Sequence, residues 1–313
     1  MRQGFEPFCA QATKCIIPSK TNQSNLFRHP SRSSFVREKV VICAIVFCVI
    51  TLNAIAQDTS IASSVPSPAT RDADAVTLVQ TSLAAMGGTT AIGAIKTVAA
   101  SGSVSTVPSS DTTSTTDTQS TKPFTMSLSI NGSFFEFRRE SGSPGNTSIF
   151  ASGHGSPGYQ NHGTKARPLS QHVTIAALPY DLPAILLFAE LSDPNFSLRF
   201  IPTSGTDLAH VEITNESTPF LKKLLRQDWY FDPATGLPTR VDYLVPSTLD
   251  AFTTIPATCT YGTFARTEGV LFPSSILASE DGKQIAQVII STVTTNSSLA
   301  ESMFDLNIGG TQR

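Results

Sequence analysis

From residue 196 onward the chain is a succession of short segments of strand character: "FSLRFI", "LAHVEI", "LLRQDWYF", "TRVDYLV", "TCTYGTFAR", "VLFPSSILA" and "QIAQVIISTV". They are rich in β-branched and aromatic residues, alternate apolar with polar, and are joined by turn pairs such as Glu268-Gly269 and Asp281-Gly282. Connections this short permit only antiparallel neighbours, because a parallel crossover needs a dozen or more residues. No helix alternates with these strands, which excludes a doubly wound dinucleotide fold. The segment therefore predicts an antiparallel meander with an apolar face that something else must cover.

Two places specify the meander more closely. In "PFTMSLSINGSFFEFRR", Phe124, Met126, Leu128 and Ile130 alternate with Thr125, Ser127 and Ser129, and Asn131-Gly132 is the preferred pair for a type I′ turn. That turn predicts Ile130 opposite Ser133, Leu128 opposite Phe135 and Met126 opposite Phe137, with one oily face and one polar face. In "DWYFDPATGLPTR", Asp232 can accept a backbone N–H two residues on, Pro233 fixes φ, and Gly236 can take a left-handed conformation. This is a hairpin corner, with Trp229 and Phe231 on one flank and Val241 and Tyr243 on the other.

Helices are expected ahead of and inside the meander. "DADAVTLVQTSLAAMGG" offers Asp72 or Asp74 as N-cap, Val76, Val79, Leu83 and Met86 on one face, and Gly87-Gly88 as the stop. "TAIGAIKTV" predicts one further helical turn before a strand, and the Ser/Thr-rich run 105–121 an exposed loop. The Gly/His-rich residues 141–172 read as irregular. Residues 182–191 form a helix apolar almost all round, with Asp181 as its start signal, and such a helix must be buried. "NSSLAESMFDL" predicts a final helical turn with Phe304 inward.

The address comes from residues 40–52, "VVICAIVFCVITL", an uncharged run preceded by Arg37 and Lys39 and followed by Ala54 and Ala56 at signal-peptidase positions. The run is shorter than the roughly 20 residues of a spanning helix. A cleavable signal region over 1–56, cut after Ala56, is expected, with export to the periplasm or beyond. Residues 1–35 exceed an ordinary n-region, as they would if translation began near Val36. Residues 57–71 then form a flexible leader and 72–313 one domain. Four of the five cysteines fall in the removed part, so Cys259 has no intrachain partner. A net charge of −2 with 15% charged residues provides no basic field for nucleic acid.

The order of these elements, with the phrases "WYFDPATGLPTR", "YGTFARTEGVLFPSSILASEDG" and "NSSLAESMFDL", resembles the LolA-like, outer-membrane lipoprotein carrier superfamily over most of residues 72–306. The resemblance implies an α+β fold: a curved antiparallel β half-barrel with helices against its concave face, which in the carriers holds acyl chains. The implied function is non-catalytic binding of an apolar or acylated ligand, an envelope lipid or lipoprotein. On this expectation the ligand-lining residues are Met126, Leu128, Phe135 and Phe137 of the hairpin, Ile185, Leu186 and Phe188 of the apolar helix, and Trp229 with Phe231. The alternative is a protein-interaction or sensor module with a filled cavity.

Chemistry of other kinds finds little support. His154, His162 and His172 share one region but no compact ligand spacing, and no cysteine joins them. "GHGSPG", 153–158, lacks the glycine that a nucleophile elbow needs two residues before Ser156. Cys259 has no cationic neighbour in sequence. No catalytic residue, metal site or cofactor is expected, and a hydrolase using the His-rich region is a distant third reading.

Overall fold

A computed structural model describes residues 68–106, 120–131, 134–143, 146–152, 159–162, 165–202, 209–247 and 253–304. The expected signal region, residues 107–119 of the run 105–121 expected to be an exposed loop, Ser156 and His154 lie outside the described residues. Within them the chain begins with α1 (Ala73–Met86) and α2 (Thr89–Gly93). The strands β1 (Thr97–Thr106), β2 (Ser120–Asn131), β3 (Phe134–Ser143), β4 (Asn146–Ser152), β5 (Tyr159–His162) and β6 (Lys165–Pro168) follow. Helices α3 (Gln171–Ala176) and α4 (Pro183–Ser192) then carry the chain to β7 (Phe196–Ile201) and β8 (Ala209–Asn215). After α5 (Pro219–Leu224) come β9 (Gln227–Phe231), β10 (Pro238–Pro246), β11 (Thr254–Tyr261), β12 (Phe264–Thr267), β13 (Val270–Pro273), β14 (Ser275–Glu280) and β15 (Lys283–Thr295), and a 3₁₀ turn at Glu301–Met303.

Thirteen strands form one antiparallel sheet in the order β6-β5-β4-β3-β2-β1-β15-β14-β11-β10-β9-β8-β7. Its edges, β6 and β7, do not pair, so the sheet is an open, curved half-barrel, and with its helices the fold is α+β. The last long strand, β15, inserts beside β1, which puts the first and last strands mid-sheet. Inward positions line up across strands: Val211 faces Trp229, Trp229 faces Val241, Val241 faces Cys259, Cys259 faces Ala278, and Ala278 faces Ala286. All six are buried in one apolar core with Val79, Leu83 and Met86 of α1 and most of α4.

Local chemistry explains the elements. Asp72 caps α1, its carboxylate accepting from the Asp74 N–H at 2.9 Å, and the Gly88 N–H donates back to Leu83 O at 2.8 Å to close the helix. In the corner after β9, Asp232 accepts from the Ala234 N–H and the Thr235 hydroxyl, both at 2.9 Å, which hold its carboxyl below the usual range. Gly236 takes φ 73° as expected. The pairs Glu268-Gly269 and Asp281-Gly282 both have positive φ, the signature of type I′ turns. Phe304 is buried at the end of the terminal turn.

Five expectations need correction. The β2–β3 hairpin pairs Leu128 with Phe137, Ile130 with Phe135 and Asn131 with Phe134, two residues away from the expected register. A shift of two keeps every side chain on its face, so the burial pattern could not distinguish the registers. The observed register sets Phe137 edge-on to Phe150 at 6.1 Å and carries Arg139 to its ion pair with Asp181. Asp181 is thereby engaged and does not cap α4, whose N-cap is Leu182. Residues 141–172 are largely strand, since β4, β5 and β6 extend the sheet at one edge.

"LLRQDWYF" is not all strand: Thr218 caps α5 through the Leu221 N–H at 3.1 Å, and the strand starts at Gln227. Leu224 and Leu225 instead pack with Ala176 in a small separate cluster. "TCTYGTFAR" and "VLFPSSILA" each break, after Tyr261 and after Pro273, so β11 pairs directly with β14. The hairpin β12–β13 leaves the sheet and buries Val270 and Phe272 in the main core.

The β1–β15 pair contains a register shift between Ser101 and Gly102, where a Cβ on Gly102 would lie 1.9 Å from Ile289 O. Gly102→Val is expected to lower stability by about 1–3 kcal/mol or more, because backbone rather than a movable side chain blocks the space. A urea unfolding midpoint unchanged from the parent would contradict this.

Candidate functional site

α4 has two working faces. Ile185, Phe188, Ala189 and Ser192, at i, i+3, i+4 and i+7, share one side, whereas Pro183, Leu187 and Glu190 share another. The first side lines a groove of about 540 Å³ together with Ile92 and Gly93 of α2, Ile95, Lys96 and Ile130. Its remaining wall is the turn Asp193, Pro194 and Asn195. The interior is apolar, from Ile92, Ile95, Ile130, Ile185 and Phe188. Polar groups at the rim come from Lys96, Ser192, Asp193 and Asn195.

Hydrogen bonds fix the walls. Ile130 N–H donates to Lys96 O at 2.8 Å, and Lys96 N–H donates to Asn296 Oδ1 at 2.7 Å. Asp193 Oδ1 accepts from both the backbone N–H and the Nδ2 of Asn195 at 2.9 Å. Arg71 closes the end of α4: its guanidinium donates to Leu191 O and Asp193 O at 2.5 Å and to Glu190 O at 3.5 Å. A cation on the last carbonyls of a helix satisfies acceptors that have no partner within the helix and complements its dipole. Arg71 is itself anchored on the β7 edge, where Leu198 N–H donates to Thr70 O and Asp72 N–H to Leu198 O, both at 2.9 Å. Gly93 lets α2 approach closely, since a Cβ there would be 2.8 Å from Phe188 Cζ.

The second face of α4 carries Glu190, fully enclosed. Gln227 Nε2 donates to Glu190 Oε1 at 2.5 Å, and Gln227 Oε1 accepts from Trp229 Nε1 at 2.9 Å. Glu190 Oε2 is buried without a hydrogen-bond partner. Burial pushes the Glu190 carboxyl up to about 8 against the partial counter-effect of Gln227, so it is neutral at pH 7. Tyr261 lies near, with its hydroxyl donating to Tyr180 O at 2.7 Å, and burial pushes it well above 10.

Of the nine expected lining residues, Ile185 and Phe188 line the groove. Met126, Leu128, Phe137, Leu186, Trp229 and Phe231 are enclosed in the core, each no more than 1% exposed, and Phe135 is half-buried opposite Ile130. His172 is half-buried in α3 with its ring 3.4 Å from Ser170 Oγ, and His162 belongs to β5. Among the described residues no group of three His, Cys, Asp or Glu side chains could hold a metal ion. Cys259 is buried, 3.6 Å from the Tyr243 hydroxyl.

Sequence reasoning missed Glu190 and Gln227, and both carried a signal. Glu190 is the only charge in "PAILLFAELS", a helix with nearly all its faces covered. Gln227 shares the inward parity of Trp229 and Phe231, and a polar residue at such a position needs a buried partner. Nothing in local sequence announced that α2 and α4 would leave space between them.

Two outcomes are expected. Arg71→Ala should destabilise the fold by about 1–3 kcal/mol through lost charge-assisted bonds and accelerate amide exchange over 190–198; exchange unchanged there would refute the capping role. Because Glu190 binds its proton more tightly folded than unfolded, stability should fall as pH rises from about 4.5 to about 8 and then level. Glu190→Gln should flatten that slope, gaining a few kcal/mol relative to the parent at pH 8, as read by denaturant unfolding at pH 5, 6.5 and 8.

No family model and no curated protein matches the chain. Among solved structures it is similar to an outer membrane lipoprotein-sorting protein domain from Vibrio parahaemolyticus, at 12% identity over 74% of this chain and 95% of that one, with a TM-score of 0.46. It is similar also to a DUF1329 family protein from Desulfovibrio piger, at 13% identity over 74% and 96%, TM-score 0.47. A third is a LolA superfamily protein from Nitrosomonas europaea, at 10% identity over 74% and 97%, TM-score 0.39. Likeness at these identities brings no ligand or role to this chain.

Proposed function

We propose that the protein is an exported cell-envelope protein that binds one apolar or acylated ligand, without catalysis, in the groove between α2 and α4. The observation that carries this reading is the groove itself: about 540 Å³ walled by four isoleucines and a phenylalanine, open on a polar rim. That volume falls within the roughly 300–1,000 Å³ of small-molecule sites. Each methylene of a chain buried there contributes about 0.8 kcal/mol. Lys96 is exposed, its ammonium donating to Gly93 O at 3.3 Å, and so can turn to a carboxylate or phosphate head. Export rests on the apolar run 40–52 with Ala54 and Ala56. A lipid or lipoprotein of the envelope is the ligand class of this reading.

A second reading, an interaction or sensor module, is favoured by one observation: most of the expected lining residues, Trp229 and Phe231 included, are packed into solid core. The groove distinguishes the two. Titration with a fluorescent fatty acid should give saturable binding to the parent. Gly93→Leu improves helix propensity while driving Phe188 into the groove, and should weaken binding at least about tenfold with the fold intact by circular dichroism. Lys96→Glu should weaken fatty-acid binding several-fold and leave a neutral alkyl glucoside unaffected. Absence of saturable binding by any amphiphile, or binding indifferent to Gly93→Leu, would transfer the assignment to the second reading.

A further inference from the structure

We propose that α4 is a proton-responsive wall of the groove: with Glu190 neutral the helix is held to β9 through Gln227, and ionisation of Glu190 unseats its C-terminal turn and loosens the groove. This regulation rests on the groove being the binding site. Its geometric basis is that one helix serves both places. Ala189 and Ser192 line the groove, Glu190 between them points to the core, and the turn after Ser192 supplies further lining.

The seat leaves one oxygen of the carboxyl without a partner in either form, and it disfavours the anion far more than the neutral acid. Among the described residues the carboxyl accepts from Gln227 Nε2, whose amide is oriented by the Trp229 indole N–H on its oxygen side. Among the described residues Glu190 Oε2 has no hydrogen-bond partner. A buried carboxylate needs several hydrogen bonds or a cation, so ionisation here favours any movement that admits water or a cation. A cation stands at the end of the same helix: the Arg71 guanidinium, already on the backbone carbonyl of Glu190.

The other ionisable groups around α4 and β9 are engaged elsewhere: Asp193 Oδ1 accepts from the Asn195 N–H, the Lys96 ammonium donates to Gly93 O, and Asp228 of β9 is paired with His210 and Arg226. Asp181, before the helix, is paired with Arg139 of β3. Tyr180 and Tyr261 add no positive charge, and nor does the buried thiol of Cys259 on β11. On α1, which packs on α4, Asp74 is exposed in the first turn and Asp72 caps it. Neither α2, "TTAIG", nor β13, "VLFP", carries a titratable side chain.

The direction follows from linkage. The seated helix holds the proton up to about pH 8, and an unseated, hydrated glutamate releases it near 4.5. Raising the pH therefore favours the unseated state, by up to about tenfold per pH unit between those values and no further above them.

Trp229 is the chain's only tryptophan and a member of the network, so it reports the change directly. Acrylamide quenching of Trp229 in the full chain should rise from pH 5 to 8 and level above, with far-ultraviolet circular dichroism constant, and Glu190→Gln should abolish the rise. Release of a bound fluorescent fatty acid should accelerate over the same range in the parent only. Hydrogen exchange of α4 amides in the parent, corrected for intrinsic rates and compared with α1, repeats the test without the variant. Quenching and α4 protection that are flat from pH 5 to 9, or a rise retained in Glu190→Gln, would overturn the proposal. If no fatty acid binds at any pH, the groove reading fails while Trp229 still decides the movement. If it binds with a pH-independent release rate and Trp229 is flat, the groove stands and the gate falls.

Discussion

An antiparallel sheet that never closes has one apolar face to remove from water and two edges to protect, and most of the structure answers those two needs. The inward row from Val211 through Trp229, Val241 and Cys259 to Ala278 and Ala286 spans six strands without a polar side chain. Nothing from the convex side can bury it. The cover is assembled from α1, α4 and the detached hairpin β12–β13, which is why the breaks after Tyr261 and Pro273 matter: they send Val270 and Phe272 over the core instead of into the sheet. The β7 edge is met by Thr70 to Asp72, whose backbone bonds to Leu198 and whose Arg71 secures the end of α4. Edge protection and cover are thus joined in one residue.

A cover made of separate pieces leaves seams. Where α2 meets α4, Gly93 brings the helices close at Phe188, but the short α2 ends there and the space beyond it stays open. The groove is therefore a consequence of how the cover is divided, and its apolar walls are the outer sides of residues whose neighbours complete the core. This is also why so much of the concavity is filled: aromatic side chains as large as Trp229, Phe231 and Phe137 occupy it.

What was legible in the sequence was what depends on parity and local backbone chemistry. Alternation placed Met126, Leu128, Trp229 and Phe231 inward; Asp72, Gly87-Gly88 and "DPATG" located a helix and a corner. The hairpin register failed because shifts of two residues leave parity untouched, and the choice was made by distant partners such as Phe150 and Asp181. Strands β4 to β6 were read as irregular because "NTSIFAS", "YQNH" and "KARP" are short and mostly polar and show little apolar alternation, while pairing to an existing edge supplied the order that propensity did not. The groove was not legible at all, because it is defined by the meeting of segments 35 and more residues apart.

Glu190 and Gln227 show a different limit. Each contradicts its local pattern, one a charge in an apolar helix and the other an amide in an inward row, and together they resolve the contradiction only in part, through one hydrogen bond and an oxygen left over. An apolar pair of the same shape would seat α4 at least as firmly, since a buried hydrogen-bonded pair gains little over good packing and an unsatisfied atom costs free energy. The arrangement therefore weakens the attachment of a helix that walls the groove, and does so at the turn that Arg71 secures from outside. Seating by packing alone would be indifferent to protons; seating through a neutral acid makes the position of α4 depend on them.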